Sequence, residues 1–222
     1  MSTKVLKLFL SQLIIALGIA LVINSGLGAF PITLCNLSIS NLTGLSFGFC
    51  SMLVELIVII ICSCFKMPIS IATLFNGLLG GYFIDFVLLF LPIPVLFPIK
   101  LLYVILGAIT LIYGFYKQGS LGLGKTSSNL LTSLIRKKTQ ASITSVKTIQ
   151  ECLFVLIGLI GASSSFGLAT IILSLGFGKL MDYIYTKLNY DPTKVKHQTI
   201  EFQKHHNYEL LLNHNNYKLQ RI

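Results

Sequence analysis

Six apolar stretches, each long enough to cross a lipid bilayer, constrain the fold of this chain more than any other feature. A helix rises about 1.5 Å per residue and the hydrocarbon core is roughly 30 Å thick, so one crossing needs about 17 to 25 mostly apolar residues. The stretches that meet this requirement are 6–23, 48–65, 69–91, 100–116, 143–160 and 166–186. Only 11% of the residues are charged, against about a quarter in a soluble domain. The sequence therefore predicts an all-α membrane protein with six transmembrane helices in the lipid bilayer.

The chain also contains an internal duplication at an offset of 96 residues, which becomes 97 after a one-residue slip. The four acidic residues that precede the polar tail form two matched pairs, Glu55 with Glu151 and Asp85 with Asp182. Each copy contains three predicted spans, and an odd number reverses the direction of entry, so we expect two inverted three-helix repeats. The expected organisation is a first repeat at 1–91, an external proline-rich linker at 92–99, a second repeat at 100–186 and a polar, largely disordered cytoplasmic tail at 187–222.

Basic residues segregate to one side of the membrane when the N-terminus is placed in the cytoplasm. Up to residue 147, only Lys100 then lies outside, and the inner residues are Lys4, Lys7, Lys66, Lys117, Lys125, Arg136, Lys137, Lys138 and Lys147. This asymmetry follows the positive-inside rule and predicts a bacterial plasma-membrane protein with both termini in the cytoplasm. The net charge of +10 then indicates topology and contact with anionic lipid, and nucleic acid is not expected as a partner.

A Gly-Leu-Gly sequence recurs at matched positions of the two copies and leads into about a dozen semi-apolar residues, 29–43 and 125–139. These segments are too short and too polar to cross comfortably, so we predict half-helices that dip into the membrane or lie in its interface. The glycines, which would permit positive φ and close backbone approach, are Gly26, Gly28, Gly122 and Gly124. The alternative, in which both segments cross, gives four spans per repeat and parallel copies.

Glu55 and Glu151 lie near the middle of their predicted spans, where a carboxylate costs roughly 2.5 to 3.5 kcal/mol on insertion scales. Equivalent residues of an inverted repeat approach each other near the midplane, where transporters place substrate and ion sites. Two carboxylates so placed would share a proton or capture a cation. The alternative is that each glutamate joins helices by a hydrogen bond, and an i,i+4 pair of Lys147 with Glu151 would favour it in the second copy.

Asp85 and Asp182 lie nearer the ends of their predicted spans, the first towards the outside and the second towards the inside. As a functional hypothesis they serve an outer and an inner gate. A surface ion pair with Lys179 is the plainer account of Asp182. Thr73 and Thr170, at matching helix starts, are expected to cap the first turn.

The sequence shows no sign of catalysis, because the serine-hydrolase, zinc-protease and phosphate-loop motifs are absent and no predicted span contains a histidine. The five cysteines lack zinc-like or secreted-framework spacing and are expected to be packing residues. We therefore predict no enzyme activity, no cofactor and no metal site.

The two copies resemble the YczE/YyaS/YitT-type family of bacterial integral membrane proteins over about residues 10–186. The matching pieces lie at 17–19, 26–31, 43–48, 83–86, 122–124, 129–131 and 148–170. Two positions depart from the family pattern, Ser127 in place of a second proline-containing turn and Lys147 in place of the usual arginine. The resemblance implies a bacterial plasma-membrane protein and supports the topology, but it implies no particular substrate.

These patterns together predict a permease for a small solute or ion. Glu55 and Glu151 would form a protonatable midplane pair, and the two Gly-Leu-Gly segments would flank the route. A homodimer is a further expectation, since six short spans enclose little volume. Two alternatives stay open: a substrate-binding or accessory membrane subunit that works with a separate partner, and a purely structural membrane protein.

Overall fold

The computed structural model describes residues 2–124, 126–191 and 195, and this part of the chain contains helices and no strand. Its α-helices are α1 Ser2–Ser25, α2 Pro31–Thr43, α3 Phe47–Cys64, α4 Ile71–Phe90, α5 Phe97–Ser120, α6 Ser127–Thr139, α7 Ile143–Gly161 and α8 Leu168–Lys187. A 3₁₀ turn at Ser163–Ser165 joins the last two. The all-α prediction is confirmed for these residues. Most of the predicted disordered tail, including its four histidines, lies outside them.

Five helices in the described part of the chain are long and apolar enough to cross a membrane. They are Thr3–Ser25, Phe47–Cys64, Ile71–Phe90, Phe97–Ser120 and Leu168–Lys187. These helices coincide with five of the six predicted spans. The remaining predicted span, 143–160, forms α7, but α7 is not among the five, and its first half carries Lys147, Gln150 and Glu151. A sixth crossing therefore stays a prediction.

The surface of the molecule is apolar, while many polar side chains are buried. Leu89 is 81% exposed and Leu175 is 77% exposed, and large apolar residues are exposed along each of the five long helices. The buried polar residues include Gln12, Asn76 and Gln118. Soluble monomers seldom expose so much contiguous apolar surface, whereas polar groups within a bilayer face the protein interior. This distribution is that of a membrane-embedded protein.

Helices α1 and α5 form the most extensive helix pair, and glycines set their separation. A Cβ atom added at Gly18 would lie 2.6 Å from the backbone N of Leu111, and one added at Gly114 would lie 2.7 Å from Cγ1 of Ile15. Small residues of this kind let transmembrane helices approach closely. Gly18 and Gly114 are 96 residues apart, as are Ile15 and Leu111, so the duplicated positions make reciprocal contacts.

The two short helices, α2 and α6, each contain 13 residues and follow the Gly-Leu-Gly segments. The predicted positive φ is confirmed, with values of 63° at Gly26, 144° at Gly28, 66° at Gly122 and 136° at Gly124. Each segment is fixed to the first turn of a long helix from the other half of the chain. The Leu27 carbonyl accepts a 3.0 Å hydrogen bond from the Ala169 amide, and the Leu123 carbonyl accepts a 3.2 Å bond from the Ala72 amide.

Helices α3 and α4 are in backbone contact, because a Cβ atom added at either Gly48 or Gly81 would collide with the carbonyl group of the other residue. Asp85 of α4 reinforces this contact. Its Oδ2 accepts a 2.5 Å hydrogen bond from Ser46 Oγ, and its Oδ1 accepts a 2.7 Å bond from the Gly48 amide. A carboxylate at the positive N-terminal end of α3 is electrostatically favourable.

The corresponding helices of the second half, α7 and α8, do not pack along each other. Helix α7 lies against α2 instead, where a Cβ atom added at Gly158 would come within 2.6 Å of Leu34 Cγ. The Gly161 amide also donates to Ser38 Oγ over 2.9 Å. Gly178 of α8, which is equivalent to Gly81, has no atom within 4 Å of an added Cβ. The two halves of the described chain are therefore packed differently at this point.

Two predicted helix starts need correction. Helix α5 begins at Phe97, inside the predicted linker, because Pro98 occupies the first turn, where its missing N–H leaves no hydrogen bond unmade. The two threonines expected to cap helices lie three residues after the cap. Ser70 caps α4, and its Oγ accepts from the Thr73 amide over 3.4 Å. Thr170 Oγ1 does cap the first turn of α8, because it accepts a 3.4 Å hydrogen bond from the Gly167 amide, and it also accepts a 2.9 Å bond from the Ala29 amide across the two halves of the chain.

Candidate functional site

A cavity of about 180 Å³ lies between the helices and is lined by both predicted glutamates. One water molecule takes up about 30 Å³ of liquid, so the cavity has room for several waters or a small solute. Its polar lining consists of Gln12, Thr33, Asn36, Ser51, Glu55, Asn76, Thr126, Ser127, Ser128, Asn129, Lys147 and Glu151, and most of the rest is isoleucine, phenylalanine and glycine.

Glu55 projects from α3 into this cavity without a cationic partner among the described residues. Its Oε2 atom is fully buried and has no hydrogen-bond partner there. The side chain interacts with the hydroxyl group of Ser127, at the start of α6. A buried carboxylate oxygen without a partner costs free energy, so its presence marks a position where a ligand or a proton would be stabilising.

Glu151, the equivalent residue of α7, has different surroundings. Its Oε1 lies 3.3 Å from Nζ of Lys147, one helical turn earlier, and both side chains are partly exposed. Lys147 Nζ also donates to Ser128 Oγ over 3.2 Å. The i,i+4 pair considered from the sequence is thus confirmed, and the two glutamates that share the cavity carry unequal effective charge.

Asn36 of α2 is a second cavity residue with an unmet hydrogen bond. It is 4% exposed, and its Oδ1 atom is buried without a partner in the described part of the chain. The equivalent residue of α6, Thr132, is satisfied, because it donates a 2.8 Å hydrogen bond to Gln150 Oε1. Unpartnered buried atoms of Asn36 and Glu55 therefore occur in the wall of the same cavity.

A network of three buried amides connects the cavity to the helices around it. Gln118 of α5 donates to Asn76 Oδ1 over 2.8 Å and to Gln12 Oε1 over 3.4 Å, and Asn76 donates back to Gln118 Oε1 over 3.1 Å. The network joins α1, α4 and α5. Satisfied buried amides of this kind hold helices in one arrangement.

The other predicted site residues lie outside the cavity. The four glycines are at the turns before α2 and α6, and the cavity lining begins just after them, at Ile32 and Thr126. Asp85 belongs to the contact between α3 and α4. Asp182 is exposed on α8, and the ion pair with Lys179 considered from the sequence is not formed.

Several residues that build the site were not predicted from the sequence, chiefly Gln12, Asn36, Asn76 and Gln118. The amides at 12, 76 and 118 lie within or beside apolar stretches, and that placement is itself a signal that could have been used. Asn36 is harder to find, because its partner position in the duplication is a threonine. The five cysteines are unpaired, and the described residues contain no cluster of three or more potential metal-ligating His, Cys, Asp or Glu residues.

The fold and the site define a multi-pass α-helical membrane protein with a charged polar cavity among its helices. The chain belongs to DUF6198, a family of unknown function, whose family model matches residues 2–186. No curated protein and no solved structure matches the chain. The resemblance to the YczE/YyaS/YitT-type family stays a prediction.

Proposed function

We propose that the protein is a permease that moves a small solute or ion across a bacterial plasma membrane by way of the cavity between Glu55 and Glu151. The observation that carries this proposal is the buried Glu55 Oε2, which has no hydrogen-bond partner among the described residues and lies in the wall of a cavity that Glu151 also lines. Acidic residues within a membrane are costly and mark substrate or ion pathways when they face an internal cavity. We propose that Glu55 is the glutamate that binds the solute or a proton during transport. Glu151 keeps its ion pair with Lys147 throughout.

We further propose six spans arranged as two inverted repeats, with α2 and α6 as half-helices at membrane depth and both termini in the cytoplasm. Matched local geometry supports the repeat. Ser46 and Ser142 cap α3 and α7 in the same way, and the left-handed residues Gly44 and Gln140 end α2 and α6. Irregular backbone such as the Gly-Leu-Gly turns is tolerated at membrane depth where it lines a cavity or is buried in protein.

The unequal packing of the two halves supports alternating access. In this topology the contact of Asp85 with Ser46 lies at the outer end of α3 and α4 and is closed. The equivalent Asp182 lies at the inner end of α8 and makes no hydrogen bond or ion pair through its carboxylate in the described part of the chain. We propose that the described conformation is closed outside and open inside, and that pairing of α8 with α7 closes the inner gate.

Transport by the isolated protein tests the proposed function. The purified full-length chain would be reconstituted in vesicles and assayed for uptake of potassium, methylammonium, glycine, acetate and glycerol, with and without a pH gradient. We expect flux of one solute, reduced at least about tenfold by Glu55→Gln, since one hydrogen bond to a charged group is worth about that factor. Glu201→Gln makes the same chemical change outside the family-matched residues 2–186 and should keep the native rate.

Two outcomes would contradict the proposal. Absence of flux from folded protein would favour an accessory or substrate-binding subunit, and a stable cytoplasmic partner at the basic end of α6 would strengthen that reading. Flux that is unchanged in Glu55→Gln would remove Glu55 from the route.

A further inference from the structure

We propose that the solute of this cavity is a small primary ammonium compound, whose NH₃⁺ group binds between Glu55 and Asn36. This inference rests on the proposed function for its transport step, but the binding site itself is argued from the cavity alone.

The charge of the cavity favours a monovalent cation. Glu55, Glu151 and Lys147 are its only charged lining residues in the described part of the chain. Because Lys147 offsets Glu151 across 3.3 Å, the described lining carries one net negative charge when the Glu55 carboxyl group is ionised. A bound cation would cancel that charge without breaking the existing ion pair.

The unmet hydrogen bonds favour a ligand that donates. Glu55 Oε2 and Asn36 Oδ1 are both buried acceptors without partners among the described residues. An NH₃⁺ group carries three N–H donors and can satisfy both atoms together, whereas a quaternary ammonium carries none. A ligand without N–H donors would leave these buried acceptors unpaired, and the free-energy cost of that makes the site select against it.

The remaining wall favours an organic cation over a bare metal ion. Hard divalent cations take six or more oxygen ligands, and the described residues offer no group of three or more His, Cys, Asp or Glu side chains. Part of the lining is aliphatic, from Ile15, Ile19, Ile32 and Ile84. A short alkyl group can contact that surface, while the ammonium group reaches the acceptors.

The test uses ethylammonium as the probe, measured by thermal unfolding and by titration calorimetry on the purified full-length protein in detergent. A ligand that binds only the folded state raises the unfolding midpoint by mass action. We expect ethylammonium to raise it, and we expect no shift from ethanol, which lacks the charge, or from tetramethylammonium, which lacks N–H donors. Glu55→Gln should weaken ethylammonium binding at least about tenfold, while Glu201→Gln should leave it unchanged.

Ethylammonium binding to a Lys147→Gln variant distinguishes a cation-binding site from an anion-binding site. This measurement does not require the Glu55→Gln variant to fold. Removal of this partly exposed lysine frees Glu151, so ethylammonium should bind about two- to fivefold more tightly, the range expected for one exposed charge pair. Weaker binding in Lys147→Gln, a shift with acetate in place of ethylammonium, or equal binding by Glu55→Gln would overturn the proposal.

The two proposals fail in different ways. If ethylammonium binds but the reconstituted protein does not transport it or any other solute, the site stands and the permease is wrong. If a neutral or anionic solute is transported in a Glu55-dependent manner and ethylammonium does not bind, the permease stands and the ammonium class is wrong.

Discussion

Glu55 and Glu151, which lie 96 residues apart at matched positions of the sequence, have different surroundings. Glu151 pairs with Lys147 at 3.3 Å, whereas Glu55 keeps one buried carboxylate oxygen without a partner. The residue equivalent to Lys147 in the first copy is Ser51, which cannot supply a charge. Serine at position 51 therefore leaves Glu55 without the i,i+4 cationic partner that Glu151 has.

This difference predicts opposite effects of neutralising the two residues in the absence of ligand. Glu55→Gln keeps the shape of the side chain and removes a buried charge, so we expect the free energy of unfolding to rise by about 1 kcal/mol. Glu151→Gln breaks a partly exposed i,i+4 pair and should change it by less than about 0.5 kcal/mol. Thermal midpoints of the two variants in detergent measure both effects. A Glu55→Gln variant that is clearly less stable than Glu151→Gln would instead make Glu55 a structural link between helices.

Among the helices, the pairing of α3 with α4 has no counterpart between α7 and α8. The contact depends on Gly48 and Gly81, whose backbones touch, and on the carboxylate of Asp85 at the end of α3. The second copy retains Gly178 and Asp182 on α8, yet α7 packs on α2 through Gly158 and Gly161. The matching positions of the first half, Cys62 and Phe65, are larger, and α3 is in less extensive contact with α6 than α7 is with α2.

Alanine substitutions at the two equivalent glycines should therefore have opposite effects on stability. Gly81→Ala places a Cβ atom against the backbone of Gly48, and overpacking of this kind costs about 1 to 3 kcal/mol. Gly178→Ala meets no atom within 4 Å and should stabilise α8 by up to about 1 kcal/mol through helix propensity. Thermal unfolding of both variants decides the point. Equal destabilisation by the two substitutions would mean that α8 packs closely against another helix at Gly178, which would contradict the open space found there.

At the scale of the whole molecule, the two halves are joined by reciprocal contacts, and each holds a Gly-Leu-Gly segment of the other. The hydrogen bonds from Ala169 to Leu27 and from Ala72 to Leu123 are of similar length, 3.0 and 3.2 Å. These contacts join the two halves. Under the proposed transport function, the unequal contacts at Asp85 and Asp182 would exchange roles. Alternating access requires that exchange and a bistable element at each end.

Cysteine pairs at the two gates test the exchange in a background that lacks the five native cysteines. Ser46→Cys with Asp85→Cys replaces groups that are 2.5 Å apart and should form a disulfide bond rapidly once an oxidant such as copper phenanthroline is added, which would block transport. Ser142→Cys with Asp182→Cys replaces the equivalent open pair and should cross-link only while a transported solute is present. Loss of thiol labelling, followed by mass spectrometry, reports each bond. Rapid cross-linking of the second pair without solute, or none during transport, would contradict the gate assignment.

The sequence by itself determined the features that depend on local chemistry and on the solvent. Apolar stretches long enough to cross the bilayer core predicted the five long helices, since a membrane crossing needs about 17 to 25 mostly apolar residues. The Gly-Leu-Gly repeats predicted turns with positive φ before α2 and α6, because few other residues adopt that conformation. Matched acids predicted a shared site, and both glutamates do line one cavity.

Only the tertiary structure decided which residues meet across the chain. Three such features join segments up to 142 residues apart: the pairing of α2 with α7, the hydrogen bond of Leu27 to α8, and the lining of one cavity by both Asn36 and Glu55. Such contacts depend on how closely helix backbones approach, and this is set by glycines on both partners at once, at Gly48 with Gly81 or at Gly158 against Leu34. The helical period of one segment carries no information about its partner on another segment. The local i,i+4 pair of Lys147 with Glu151 could therefore be predicted from the sequence, whereas the surroundings of Glu55 Oε2 were decided only by the packing of the helices.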